Sequence, residues 1–287
     1  MRVVPQVLLL QALLLVSLAQ GAELRVMASI FPVADMVRQV GGQRVEVQVL
    51  IPPGADPHGY EPPPSVVRQL REAELFFQVG AGLELWAEGL LKAAGAKRVL
   101  LTEGMRLLSQ GPGGQANPHV WLDPLLAVQM TEKIKEALLE ADPPGGPLYE
   151  ANARRFIQAL RALDEEIRRE LSALRGREFA SLHPAWDYFA LRYGLRSLGS
   201  IRPSPSRPAS PRALARLARR LREAKVRVVL AEEQMSLREA RVLASEAGAR
   251  VVLLDPLGGV PGRDSYLALM RYNLRKLLEA LRNEQGS

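Results

Sequence analysis

Short apolar runs alternate with segments of helical period along almost the whole chain, and proline or glycine closes most of them. Strand-like runs fall at residues 24–29, 45–51, 75–79 and 98–101, and again at 178–182, 227–230 and 250–254. The run Val45-Glu46-Val47-Gln48-Val49-Leu50 has the period of two expected of a strand, and it stops at the breaker Pro52-Pro53-Gly54. Between these runs, helical period marks residues 31–40, 65–74 with Ser65 as the cap, 83–94, 124–140, 184–193, 212–224, 237–247 and 265–282. Such alternation predicts an α/β fold rather than an all-β one.

The alternation is interrupted once. After Pro143-Pro144-Gly145-Gly146-Pro147, apolar residues recur at Phe156, Leu160, Leu163, Ile167, Leu171 and Leu174, which predicts one long helix over residues 148–174. At 1.5 Å per residue it would span about 40 Å, enough to cross one side of a two-domain protein. A chain of 287 residues is long for one domain. The expectation is therefore two similar α/β halves, residues 22–147 and 176–287, joined by a helix at 148–175, with no close sequence repeat between them. The Gly-rich stretch 103–118 and the Pro/Ser-rich stretch 202–211 are expected to be loops.

Residues 1–21 have the form of an export signal. Arg2 is followed by an apolar run, 7–19, broken only by Gln11 and Ser17, and Ala19-Gln20-Gly21 offers small residues for cleavage. The run is short for a membrane span, which needs about 20 residues. The chain has no cysteine, which excludes disulfides, thiolate zinc sites, thiol catalysis and the cysteine-borne lipid of a bacterial lipoprotein. The formal charge is +7, but the basic residues lie beside acids at helical spacing, as in Asp164-Glu165-Glu166-Ile167-Arg168-Arg169-Glu170. Mixed signs of this kind mark solvated helix faces rather than a nucleic-acid surface.

Only three histidines occur, His58, His119 and His183, each next to a proline. His58 and His183 lie just past the carboxyl end of an expected strand, and His119 closes a loop. Asp255 follows the strand 250–254 in the same way. Open α/β sheets bind ligands beyond the carboxyl ends of their strands, and two of these groups belong to each half. A shared site would lie in the crevice between the halves. Neutral imidazole is a strong ligand for zinc and similar ions, and a carboxylate can complete a four-coordinate set. No GxSxG elbow, phosphate-binding loop or metalloprotease helix motif occurs. Glu232-Glu233, adjacent acids at a strand end, read as structural or capping residues.

Several motifs carry a family resemblance. They are Pro57-His58-Gly59-Tyr60-Glu61-Pro62, Gly82-Leu83-Glu84-Leu85-Trp86, Asn117-Pro118-His119-Val120-Trp121-Leu122-Asp123-Pro124, His183-Pro184-Ala185-Trp186, Glu232-Glu233-Gln234-Met235-Ser236 and Leu254-Asp255-Pro256-Leu257-Gly258. With them the chain resembles the zinc/manganese (cluster A-I) solute-binding proteins of ABC importers, over about residues 24–281. The resemblance implies two Rossmann-like domains joined by one rigid backbone helix, with the metal site in the interdomain cleft. It implies His58 and His119 as ligands from the first domain, and His183 and Asp255 from the second. Zinc-type relatives carry histidine at the third position and manganese-selective ones commonly glutamate, so His183 favours Zn2+, with Mn2+ or dual use as the alternative. The loop 108–116 lacks the histidines that many zinc relatives carry there, and Arg207 stands where relatives usually have glutamate.

The expected protein is thus a periplasmic receptor, monomeric and not an enzyme, that hands a divalent ion to a membrane permease. An exported zinc hydrolase is the alternative from another class.

Overall fold

The computed structural model describes residues 24–110, 114–202 and 210–282. The export signal at 1–21 and Arg207 lie outside them. The first half contains β1 (Leu24–Ala28), α1 (Phe31–Gly41), β2 (Val45–Val49), α2 (Pro64–Glu72), β3 (Leu75–Gln78), α3 (Glu88–Ala94), β4 (Lys97–Leu100), a small hairpin of β5 (Ser109–Gln110) and β6 (Gln115–Ala116), and α4 (Pro124–Ala141). The long helix α5 (Gly146–Glu170) follows. The second half contains β7 (Glu178–Ser181), α6 (Asp187–Tyr193), β8 (Arg196–Ser200), α7 (Pro211–Glu223), β9 (Val228–Glu232), α8 (Arg238–Ala247), β10 (Arg250–Leu254) and α9 (Tyr266–Arg282).

Each half holds one wholly parallel four-stranded sheet, in the order β2-β1-β3-β4 and β10-β9-β7-β8. The two orders are the same topology. In each, the second strand lies on one side of the first, and the third and fourth lie on the other. The chain direction of assembly therefore reverses between β1 and β3, and again between β7 and β9. These are the points where α/β sheets open a crevice at their carboxyl edge. Sequence comparison between the halves hides this duplication, because a parallel strand needs only apolar residues and not particular ones. β3, Leu-Phe-Phe-Gln, is buried at every position.

The two α/β domains are joined by α5. Pro147 sits in its first turn, where its missing N–H costs nothing. Tyr149, Ala153, Phe156, Leu160, Leu163 and Ile167 form its buried stripe, against α1, α4 and α9. It ends four residues before the expected 174, and a single 3-10 turn, Ser172–Leu174, completes the run. One apolar cluster continues across both domains, from Val33 and Met36 through Leu160 to Tyr266 and Met270. A second cluster, around Val229, Leu243 and Leu217, fills the far side of the second domain.

Several local expectations change: the expected helix 184–193 divides into a 3-10 turn, Pro184–Trp186, and α6, and the expected loop 103–118 contains the β5–β6 hairpin. Ser65 does not cap α2; the helix begins at Pro64 with Pro63 before it, and no side chain caps it. The expected helix at 83–94 divides into a 3-10 turn, Leu85–Ala87, and the shorter α3. Strand β8 was not expected from the sequence at all. Arg196-Ser197-Leu198-Gly199-Ser200 has one large aliphatic residue, and it forms a strand because β7 supplies the partner for an edge position.

Leu160 is fully buried at the middle of the joining helix. Leu160→Ala should therefore cost about 2–5 kcal/mol, read as a lower urea midpoint with an unchanged slope. A loss below about 0.5 kcal/mol would show that the helix is not held by this stripe.

Candidate metal centre

His58 lies on the loop between β2 and α2. His119 follows the β5–β6 hairpin, and His183 follows β7 by two residues. The fold brings these three imidazoles together. Nε2 of His119 lies 3.2 Å from Nε2 of His58 and 3.2 Å from Nε2 of His183. One nitrogen from each ring falls within 4.8 Å of the other two. Zinc–imidazole bonds of about 2.0–2.1 Å in a tetrahedron put neighbouring nitrogens about 3.3 Å apart, close to the spacing seen.

The rings are oriented from behind. Asn117 Oδ1 accepts from the backbone N–H of His119 and lies 2.7 Å from its Nδ1. Since a carboxamide oxygen only accepts, Nδ1 carries the proton and Nε2 presents its lone pair to the cleft. The Asn117 amide also donates to the Pro184 carbonyl at 2.7 Å. One side chain thus fixes His119 in the first domain and grips the residue after His183 in the second. Glu232 Oε2 lies 3.0 Å from His183 Nδ1. The contact does not meet hydrogen-bond geometry, and among the described residues neither group has another partner. Both residues are almost fully buried. The backbone N–H of His58 donates to Asp56 Oδ1, which folds its loop back on itself.

Burial sets the protonation state. It pushes the His58 imidazole down to about 3, with the nearby His183 adding to the shift. His119 is held well below the usual imidazole range by burial and by both neighbouring rings. At neutral pH these two rings are neutral and free to ligate.

Asp255 stands apart. The structure does not bring its carboxylate into the histidine group. Oδ1 accepts from the backbone N–H groups of Leu257 and Gly258 and from Gln234 Nε2. Oδ2 pairs with Arg263 at 2.8 Å. The three histidines face a space of only about 10 Å³, edged also by Glu232, Gln234, Pro256 and Leu257. That is about the room of one water molecule or one ion. A wider pocket of about 410 Å³, lined by Trp86, Gln110, Gln115 and Pro118, adjoins His58. His58 is the least buried of the three rings, so this side is the approach to the site.

Comparison with known proteins agrees with this geometry. A family profile described as "Zinc-uptake complex component A periplasmic" (ZnuA) matches residues 26–280. The chain belongs to the ZnuA family. The protein named high-affinity zinc uptake system protein ZnuA from Bacillus subtilis is 28% identical over 92% of this chain and 89% of its own length. The zinc-binding lipoprotein AdcA of Streptococcus pneumoniae is 29% identical over 91% of this chain. The chain spans only 56% of that relative's length. A crystal structure of a ZnuA deletion mutant with zinc bound superposes with a TM-score of 0.82 at 32% identity, covering 90% of this chain and 98% of that one. The ZnuA family consists of periplasmic uptake components rather than enzymes. No helix among the described residues is long and apolar enough to cross a membrane.

Sequence reading gave two residues beside the site no part in it: Asn117 stood only within a family motif, and Glu232, read as a structural or capping residue, instead lies against His183 Nδ1. The available signal for Glu232 was its position at the end of β9, the strand beside β7 on the far side of the crevice.

The depressed histidines make the stability of the metal-free chain pH-dependent. The unfolded chain takes up protons near pH 6.5, while His58 in the folded chain resists until about 3. Stability is therefore complete above pH 6.5 and falls as pH drops toward 3. Melting temperatures of the metal-free chain should decline over this range, and less so in His58→Asn. An equal decline in both would contradict the neutral state of His58.

Proposed function

We propose that this protein is an exported receptor that captures one zinc ion in the cleft between its domains and delivers it to the membrane permease of an ABC importer. The observation that carries the reading is the convergence of three buried imidazole nitrogens, within 4.8 Å, on a space of about 10 Å³. His58, His119 and His183 are the proposed ligands, with a fourth position left for water. Nitrogen donors favour zinc over manganese, which prefers oxygen. Names of relatives in the family support the same ion.

The apolar run at residues 7–19 is proposed to direct export. Binding is proposed to move the domains little, because α5 runs unbroken between them and one apolar cluster continues across both. The permease would then recognise the ordered loops around the site and act on the monomer.

Calorimetry on the metal-free chain should give one zinc per protein. Alanine at His58 or His183 should weaken binding by a hundredfold or more, and unchanged binding in both would overturn the assignment. Glu232→Gln keeps the shape but removes the charge behind His183. It should weaken zinc by about 10–100-fold, the usual effect of losing a carboxylate behind a ligating histidine, in competition with a chelating dye. A change of less than threefold would reduce Glu232 to a packing residue.

A further inference from the structure

Asp255 is held with unusual completeness for a carboxylate beside a metal cleft. Oδ1 accepts three N–H groups, from Gln234, Leu257 and Gly258, at 2.9–3.0 Å. Oδ2 is 2.8 Å from the Arg263 guanidinium. Asn273 fixes the backbone of Asp255 on both sides, accepting from its N–H and donating to its carbonyl. Arg263 is itself built into place. It closes a tight turn in which Gly259 N–H donates to its carbonyl and its own N–H donates to Val260. Gly258 has φ +66, and a Cβ there would meet the Arg263 carbonyl oxygen at 2.8 Å, so the two turns pack too closely for any other residue. The guanidinium also pairs with Glu233 at 3.1 Å and lies over the Tyr272 ring at 4.6 Å.

We infer that Arg263 sets the metal selectivity of the site by holding Asp255 out of it, so that an incoming ion meets three imidazole nitrogens and not the Asp255 carboxylate. The inference rests on the receptor reading above. Zinc is satisfied by three imidazoles and one water in a tetrahedron. Manganese prefers carboxylate, carbonyl and water oxygens. To gain the Asp255 oxygen it must draw that carboxylate away from a charge-assisted pair and three further hydrogen bonds. That cost falls on manganese and not on zinc. Arg263 can be the fixed partner in this competition because Glu233 and Tyr272 hold it when Asp255 does not.

The test is metal affinity of the full chain, with zinc read by chelator competition and bound manganese by electron paramagnetic resonance. In Arg263→Gln the affinity for manganese should rise at least tenfold relative to zinc. Arg263→Lys keeps the charge and should keep the wild-type ratio within about threefold. Asp255→Asn in the wild-type background should leave zinc within about threefold, and added to Arg263→Gln it should abolish the manganese gain. Three results would overturn the inference: a folded Arg263→Gln chain with an unchanged ratio, a manganese gain that survives Asp255→Asn, or a loss of zinc of a hundredfold or more in Asp255→Asn alone. The last variant decides the matter even where Arg263→Gln fails to fold. A wild-type chain that binds zinc while its selectivity ignores Arg263 overturns this inference only; a wild-type chain that binds no zinc overturns the receptor reading as well.

Discussion

Three imidazole nitrogens packed within 4.8 Å can share a buried space only while the rings are neutral. Charged rings at such distances would repel strongly in a medium of low dielectric. Much of the surrounding structure serves that condition. Burial keeps His58 and His119 unprotonated, and Asn117 fixes which nitrogen of His119 faces the cleft. Glu232 sits behind His183 with Oε2 3.0 Å from Nδ1, the side of the ring away from the cleft nitrogen.

The same requirement explains the tight seam between the domains. The ligands come from both sides, so their spacing is only as constant as the interface. Trp121 donates across it to the Pro256 carbonyl at 2.8 Å. Tyr266 donates to the Trp121 carbonyl at 2.7 Å, and its N–H donates to Asp35 on α1. Trp121 and Tyr266 are fully buried. These bonds connect residues just past His119 and Asp255, so the seam and the site are one construction. The joining helix lies against the same apolar cluster and adds resistance to a wide opening.

Much of this was legible beforehand. Period two at 45–50 and period 3.6 along 156–174 mark the strand and the long helix, because a strand alternates faces and a helix repeats a stripe. The three histidines stood out because they are scarce and lie beside prolines at strand and loop ends. Other features were not legible for physical reasons. The edge strand β8 has little apolar signal, since only its partner β7 makes it a strand. The 83–94 segment reads as one helix, yet Glu84 turns its carboxylate back to the N–H groups of Val79 and Gly80 and delays the start of α3.

The sequence by itself determined the α/β class, the long joining helix, and the histidines and Asp255 as candidates, because these depend on local periodicity and on which side chains are chemically able to bind a metal. The resemblance of its motifs pointed to the family. Only the tertiary structure decided how those candidates divide. Three histidines from separate loops meet, while Asp255, one residue from the cavity wall at Pro256, is turned to Arg263. That division depends on which partners reach a carboxylate in space, and no spacing along the chain records it.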